Sequence, residues 1–255
     1  MSGKAGAIVQ MSEMLSETGA SRAAPMVWDR DIAGLSPPSP ALEPSHRRGL
    51  VAQDAAAAAR SRGAPQLSVY AIRHGETEWS LSGQHTGITD IPLTDNGRAL
   101  AEKLRPVLAK PDFKLVLVSP MRRARDTCEI AGLAGSAVVD PDLMEWNYGA
   151  YEGITSAEIH KTRPGWQVFR DGGGPGGESP EAVAARADRV IARARAVKGD
   201  VALFAHGHIL RVVAARWIGL PAQAGENFLL GTGTLCILGD YRGTPAIDVW
   251  NGPLA

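Results

Sequence analysis

Only two cysteines, Cys128 and Cys236, occur in the 255 residues. That is too few for a disulfide framework and suits a reducing compartment. No apolar run approaches the roughly 18 residues of a spanning helix, so a chain that crosses no membrane, in the cytoplasm, is expected. Net charge is absent too, because 27 Lys and Arg cancel 27 Asp and Glu. A neutral chain has no global field to draw nucleic acid or an anionic membrane. Any anion site must therefore be a local concentration of charge. Several catalytic signatures are also missing. There is no G-x-S-x-G elbow. No Lys-Ser/Thr follows Gly172–Gly177, which reads as a flexible loop rather than a phosphate cradle, and Gly231-Thr232-Gly233 lacks the third glycine of a dinucleotide fingerprint.

Apolar residues make up 44% of the chain, enough for a sizeable core. They are unevenly spread. Residues 1–64 hold seven basic and six acidic side chains, an alanine tract at Ala55–Ala59 and prolines at Pro37, Pro38, Pro40 and Pro44. Those prolines forbid a helix or central strand there. The expected organisation is a disordered low-complexity leader over 1–64, with one short helix over Val51–Arg60, and a single domain over 65–255. The leader lacks the cationic and apolar halves of a secretory signal, and its acids argue against a transit peptide. An upstream-extended reading frame explains it as well as targeting does.

From Gln66 onward short apolar runs alternate with amphipathic segments. Leu67–Ile72, Leu115–Val118 and Val201–Ala205 read as buried strands, and Thr234–Leu238 and Ala246–Trp250 as two more. Thr94–Leu108, Met121–Leu133 and His208–Leu220 read as helices, with Thr94 an N-cap. Ser179-Pro180-Glu181 opens another, with a cap, a proline at the first helical position and an acid in the first turn. This alternation predicts an α/β fold, a three-layer α/β/α sandwich with a mostly parallel central sheet. Ligands then bind beyond the carboxyl ends of the strands.

Three strand ends carry the unusual residues. The first runs into Arg73-His74-Gly75-Glu76-Thr77, the second into Ser119-Pro120-Met121-Arg122-Arg123, the later one into His206-Gly207-His208. In a parallel sheet all three meet at one edge and form a cationic pocket suited to a phosphoryl group, because arginine offers a planar fork of donors. Each piece alone has an ordinary reading. A histidine after a strand is usually a hydrogen-bonded core or surface residue, and Arg122 and Arg125 read as a solvated helix face. His206-x-His208 has the spacing of a metal pair, but Arg73 beside it and the lack of a convergent Asp or Cys argue against metal. Cys128 and Cys236 read as buried and inert, and Trp79 and Trp146 as pocket wall or core.

These blocks resemble those of the histidine phosphatase superfamily, the phosphoglycerate-mutase-like fold. After RHGET come SPMRRARDT (Ser119–Thr127), LMEWNYGAYEG (Leu143–Gly153), GES (Gly177–Ser179) and FAHGHILR (Phe204–Arg211), in the family's order. The resemblance runs from about Val69 to the C-terminus. It implies that His74 is the nucleophile, becoming a phosphohistidine, and that Arg73 and Arg123 bind phosphate. It further implies that Glu145 is the proton donor and His206 the second pocket histidine. No cofactor or metal is implied. His74 must attack as neutral imidazole, its other nitrogen fixed by a carbonyl. Glu145 must give a proton to the leaving oxygen and then take one from water.

Only about 25 residues separate Gly153 from Gly177, where the cofactor-dependent mutases of this family carry a longer insert. Hydrolysis is therefore expected rather than phosphoryl shuttling. RHGETEWSLSGQHTGITDIPLT (Arg73–Thr94) is most similar to the sedoheptulose-1,7-bisphosphatase-type and bacterial acid phosphatase branch. That likeness implies substrate contacts from Ser80, His85, Thr86, Tyr148 and Gly207. His85 and Glu76 depart from the tyrosine and glutamine of the sugar bisphosphatases. The expectation is a metal-independent phosphomonoesterase for a small phosphorylated metabolite, a sugar phosphate or bisphosphate. Phosphoglycerate mutase-type transfer is the alternative, and a catalytically silent binding module the third reading. The partner is a small-molecule phosphate ester, with no nucleic acid, no membrane and a homo-oligomeric contact near Leu229 and Leu230.

Overall fold

The strand Val69–Arg73 (β1) alternates its side chains between two faces, and both faces are buried: Val69 and Ala71 on one, Tyr70 and Ile72 on the other. A strand buried on both sides requires a layer against each face, and the computed structural model supplies both. It describes residues 67–252. The leader over 1–64 and its helix over Val51–Arg60 lie outside the described residues.

Five further strands follow: Phe113–Val118 (β2), Ala137–Val139 (β3), Asp200–Ala205 (β4), Leu235–Tyr241 (β5) and Thr244–Gly252 (β6). They form one sheet in the order β3-β2-β4-β1-β5-β6. β1 to β4 run parallel, while β5 and β6 add an antiparallel hairpin at one edge. The helices are Glu78–Ser82 (α1), Asp95–Leu108 (α2), Arg122–Ile130 (α3), Ser156–Thr162 (α4), Val168–Asp171 (α5), Pro180–Arg195 (α6) and Gly207–Trp217 (α7). Leu104 and Val107 of α2 and Ala124 and Cys128 of α3 pack with Tyr70, Ile72 and Phe204. Val183, Ala187 and Val190 of α6 and Ile209 and Val213 of α7 pack with Val69, Ala71 and Leu203. The mostly parallel sheet thus lies between two helical layers, as the sequence predicts.

Local chemistry sets the helix starts. Thr94 Oγ1 accepts from the Gly97 N–H at 3.0 Å, and Ser179 Oγ from the Ala182 N–H at 3.2 Å with Pro180 opening α6. Each such cap is worth about 1 kcal/mol. Sequence periodicity did not reveal β3, α1, α4 or α5, which are three to seven residues long. Capping boxes start two of them, Thr77 with Ser80 and Thr155 with Glu158.

Gly172–Gly177 is not the flexible loop its composition suggests. Gly174 donates to the Tyr148 carbonyl at 2.8 Å, Ala150 donates to the Pro175 carbonyl at 2.9 Å, and a Cβ on Gly174 would lie 2.7 Å from the Tyr151 ring. The glycines cradle the backbone of residues 147–151. Trp146 is core, while Trp79 lines a cavity. Both cysteines are buried, and burial pushes their thiols up to about 12. Leu229 is 75% exposed but Leu230 is buried. No helix among the described residues is long and apolar enough to cross a membrane.

Candidate active site

β2, β4 and β1 are neighbours, so their carboxyl ends bring the three polar segments together. Backbone bonds extend the pairing past the strands: His74 N–H donates to the Ala205 carbonyl at 3.0 Å, and Ser119 N–H to the Phe204 carbonyl at 2.9 Å. The histidine that follows β1 is therefore fixed to the strand that delivers His206.

His74 is 5% exposed. Its Nδ1 lies 2.7 Å from the Gly75 carbonyl. A carbonyl only accepts, so Nδ1 carries the hydrogen and Nε2 keeps its lone pair. Burial first, then the charges of Arg123 and Arg73, hold the imidazole well below the ordinary histidine value, against the opposite pull of the Gly75 carbonyl. Gly75 makes this turn possible. A Cβ there would fall 2.3 Å from the Gly97 carbonyl oxygen, so only glycine lets α2 approach. The Gly75 N–H donates to Thr127 Oγ1 at 3.0 Å, tying the turn to α3 as well.

Arg73 sends Nη1 to the Leu230 carbonyl. Its Nε is buried and has no partner among the described residues. An unmatched buried N–H on a cation is a place for an acceptor. The guanidinium wraps near α7, where a Cβ on Gly207 would lie 3.3 Å from Arg73 Cζ. Burial lowers the pKa of Arg73, with Glu145 opposing.

Glu145 sits at the start of α7. Oε1 accepts from the N–H groups of Trp146 and Ile209, and Oε2 from that of His208, each at 2.9 Å. Two of those donors belong to the first turn of the helix, where unpaired N–H groups point outward.

Arg123 and His206 stand apart from the other three. Both are 0% exposed, and neither lines the cavity of about 180 Å³ that His74, Arg73 and Glu145 share. Arg123 donates from Nε to His206 Nδ1 (3.0 Å), from Nη1 to the Thr89 carbonyl (2.9 Å), and from Nη2 to the Thr86 and Gly87 carbonyls (3.1 and 3.0 Å). Because Arg Nε can only donate, His206 Nδ1 accepts, so Nε2 carries the hydrogen and donates to Ser119 Oγ at 2.7 Å. Sequence reasoning expected both side chains to face a bound phosphate. Both are packed against that cavity's wall, with Arg123 holding the Thr86–Thr89 segment.

The five expected substrate residues, Ser80, His85, Thr86, Tyr148 and Gly207, all line the cavity. Tyr148 is buried, its hydroxyl bonded to His208 Nδ1. His85 leans over the Tyr148 ring at 4.7 Å, and burial holds its pKa at about 4. Glu76 faces elsewhere, accepting from Thr94 Oγ1 and Asn96 Nδ2 at 2.8 and 2.9 Å. His206 and His208 have different partners, and among the described residues no three His, Cys, Asp or Glu side chains group as metal ligands. Gln84, His208 and Arg211 also line the cavity and were not expected there. The helical spacing of Gly207, His208 and Arg211 on α7 was the available signal.

The chain is similar to known phosphatases. An acid phosphatase of Mycobacterium tuberculosis is 41% identical over 70% of this chain and 89% of the relative. Sedoheptulose 1,7-bisphosphatase of Saccharomyces cerevisiae is 37% identical over 60% of this chain and 68% of the relative. Among solved structures, a functionally characterised open reading frame of Mycobacterium tuberculosis superposes with a TM-score of 0.69 and 39% identity, covering 72% of this chain and 96% of that one. The family model described as histidine phosphatase superfamily (branch 1) matches residues 69–253, and with nearly every described residue inside that span the chain belongs to this superfamily.

Proposed function

We propose that this phosphoric monoester hydrolase works through a phosphohistidine on His74, without a metal, on a small phosphorylated metabolite of the sugar phosphate or bisphosphate class. One observation carries the reading: a neutral imidazole with Nε2 free beside a buried Arg73 Nε that has no partner among the described residues. Named phosphatases among the relatives support the reaction class.

In the first step His74 Nε2 attacks phosphorus and the P–O bond to the leaving group breaks. Glu145, protonated, gives its proton to the departing oxygen. Arg73 Nε–H meets a phosphoryl oxygen. Arg123 has four of its five N–H donors engaged by His206 and three carbonyls. The remaining Nη1 hydrogen, with the buried charge, supports the same oxygens. In the second step water attacks the phosphohistidine, its proton passes to Glu145, and the P–N bond breaks to release phosphate.

The test is acid-quenched enzyme incubated with phosphate-labelled substrate, EDTA present. Acid-labile label on the wild type and none on His74→Ala is the expected result; equal labelling of both would falsify the nucleophile. Product analysis with 3-phosphoglycerate separates hydrolysis from transfer: 2-phosphoglycerate appearing faster than free phosphate would establish a mutase instead.

A further inference from the structure

Glu145 stands on backbone with no regular structure of its own. Residues 144–148 are neither helix nor strand. The N–H groups of His208 and Ile209 orient the Glu145 carboxylate from the first turn of α7. They can hold it in place only if the backbone that carries the side chain is fixed as well. Precision matters here, because a displacement of about 1 Å in a reacting group can cost 10²-fold in rate. The carbonyls of this stretch have no ladder to join and need other donors.

Arg186 supplies those donors. It stands in the second turn of α6 and does not line the cavity. Nη1 donates to the Asp142 and Met144 carbonyls at 2.8 and 2.9 Å, and Nη2 to the Glu145 carbonyl at 3.4 Å. Nε and Nη2 donate to the two carboxylate oxygens of Glu178, each at 2.8 Å. Every N–H of the guanidinium fork is thereby matched to an acceptor. Glu178 closes the grip from the far side of Glu145. Its Oε2 accepts from the Asn147 N–H, its carbonyl accepts from Trp146 Nε1, and its N–H donates to the Asn147 carbonyl, each at 2.9 Å. The pair is mostly sheltered, with 13% of the Arg186 and 23% of the Glu178 side-chain surface exposed. Sheltered charges are screened less by salt than surface ones.

We infer that Arg186, paired with Glu178, is the positioning residue for proton transfer by Glu145. It meets no substrate atom and acts through the backbone of residues 142–147, while α7 orients the carboxylate. The inference rests on Glu145 being the proton donor. A lysine at 186 keeps the charge, but a single ammonium cannot serve Glu178 and three carbonyls at once.

The experiment measures kcat/KM, which covers the steps up to phosphohistidine formation, for phenyl phosphate and p-nitrophenyl phosphate. Phenolate, the more basic leaving group, needs the proton, whereas p-nitrophenolate departs without it. Arg186→Lys is expected to lose about tenfold more on phenyl phosphate than on p-nitrophenyl phosphate, and Glu178→Gln about threefold more. A brace that only supported the fold would lower both substrates alike, because the ratio of the two rates does not depend on how much protein is folded. Either variant decides the matter if the other fails to fold. In a Glu145→Gln background, adding Arg186→Lys should move the ratio by less than about twofold, since the group being positioned no longer carries a proton. Folded Arg186→Lys or Glu178→Gln with the wild-type ratio would overturn the inference, as would the full tenfold shift in the Glu145→Gln background. Glu145→Gln alone with the wild-type ratio would remove the proton-donor reading, and the inference with it.

Discussion

Arg123 Nε donates to His206 Nδ1 at 3.0 Å, and this bond sets the tautomer of a histidine that no solvent reaches. The same guanidinium holds the carbonyls of Thr86, Gly87 and Thr89. One cation thus joins α3, the start of α7 and the loop that forms the cavity floor.

Arg123→Lys keeps the charge but not the fork. An ammonium cannot serve His206 and three carbonyls in those directions. Folding stability is expected to fall by about 3 kcal/mol, since buried acceptors lose charged donors. Urea unfolding followed by circular dichroism measures this, and an unchanged midpoint would contradict the role given to the fork.

Acid should destabilise the fold through its histidines. His74, His206 and His208 are held well below the ordinary value by burial first, and His85 at about 4. Unfolded, these imidazoles bind protons near pH 6.5; folded, they do not until the pH is lower. Between those values the unfolded chain binds more protons, so stability is full above about pH 6.5 and declines as pH falls. The His85 share is exhausted near pH 4. Between pH 7 and 4.5, His85→Asn should lose about 1–2 kcal/mol less than the wild type, allowing for its partial exposure. Parallel stability curves for the two proteins would count against it.

Glu145→Gln removes the proton while keeping the size. An alkyl phosphate, with its basic leaving oxygen, should lose about 10²–10³-fold in kcat. p-Nitrophenyl phosphate, whose leaving group departs unaided, should lose about tenfold less than that. Equal losses would mean that Glu145 acts on binding and not on the proton.

Gly75→Ala places a methyl 2.3 Å from the Gly97 carbonyl oxygen, against backbone that cannot rotate away. The expected result is destabilisation of about 3 kcal/mol, read as a lower Tm, together with loss of turnover as His74 shifts. A stable, active variant would show that α2 can recede.

The strands and long helices were legible because each is long enough to show its period, and α2 and α6 because Thr94, Ser179 and Pro180 mark their starts. The strand-end blocks were legible as a cluster, because parallel neighbours must share an edge. Depth was not. Nothing in a string distinguishes Arg73, which reaches the cavity, from Arg123, which packs against its wall; that depends on which carbonyls each guanidinium meets. Arg186 escaped notice because its role arises only when the backbone of residues 142–145 folds against it. The glycine run misled for a related reason, since closeness to the backbone of residues 147–151, not freedom, requires those glycines.

The strand order also governs when the site can assemble. β4 lies between β1 and β2, and its register sets Ala205 opposite Arg73, 132 positions earlier in the chain (205 − 73). Until residues 200–205 insert, no strand pairing joins the segment bearing His74 to the segment bearing Arg123. Closure of that long loop is a slow, non-local event. A growing or truncated chain that stops before β4 therefore possesses His74, Arg73 and Arg123 yet has no pocket, and folding should place activity among the last properties to appear.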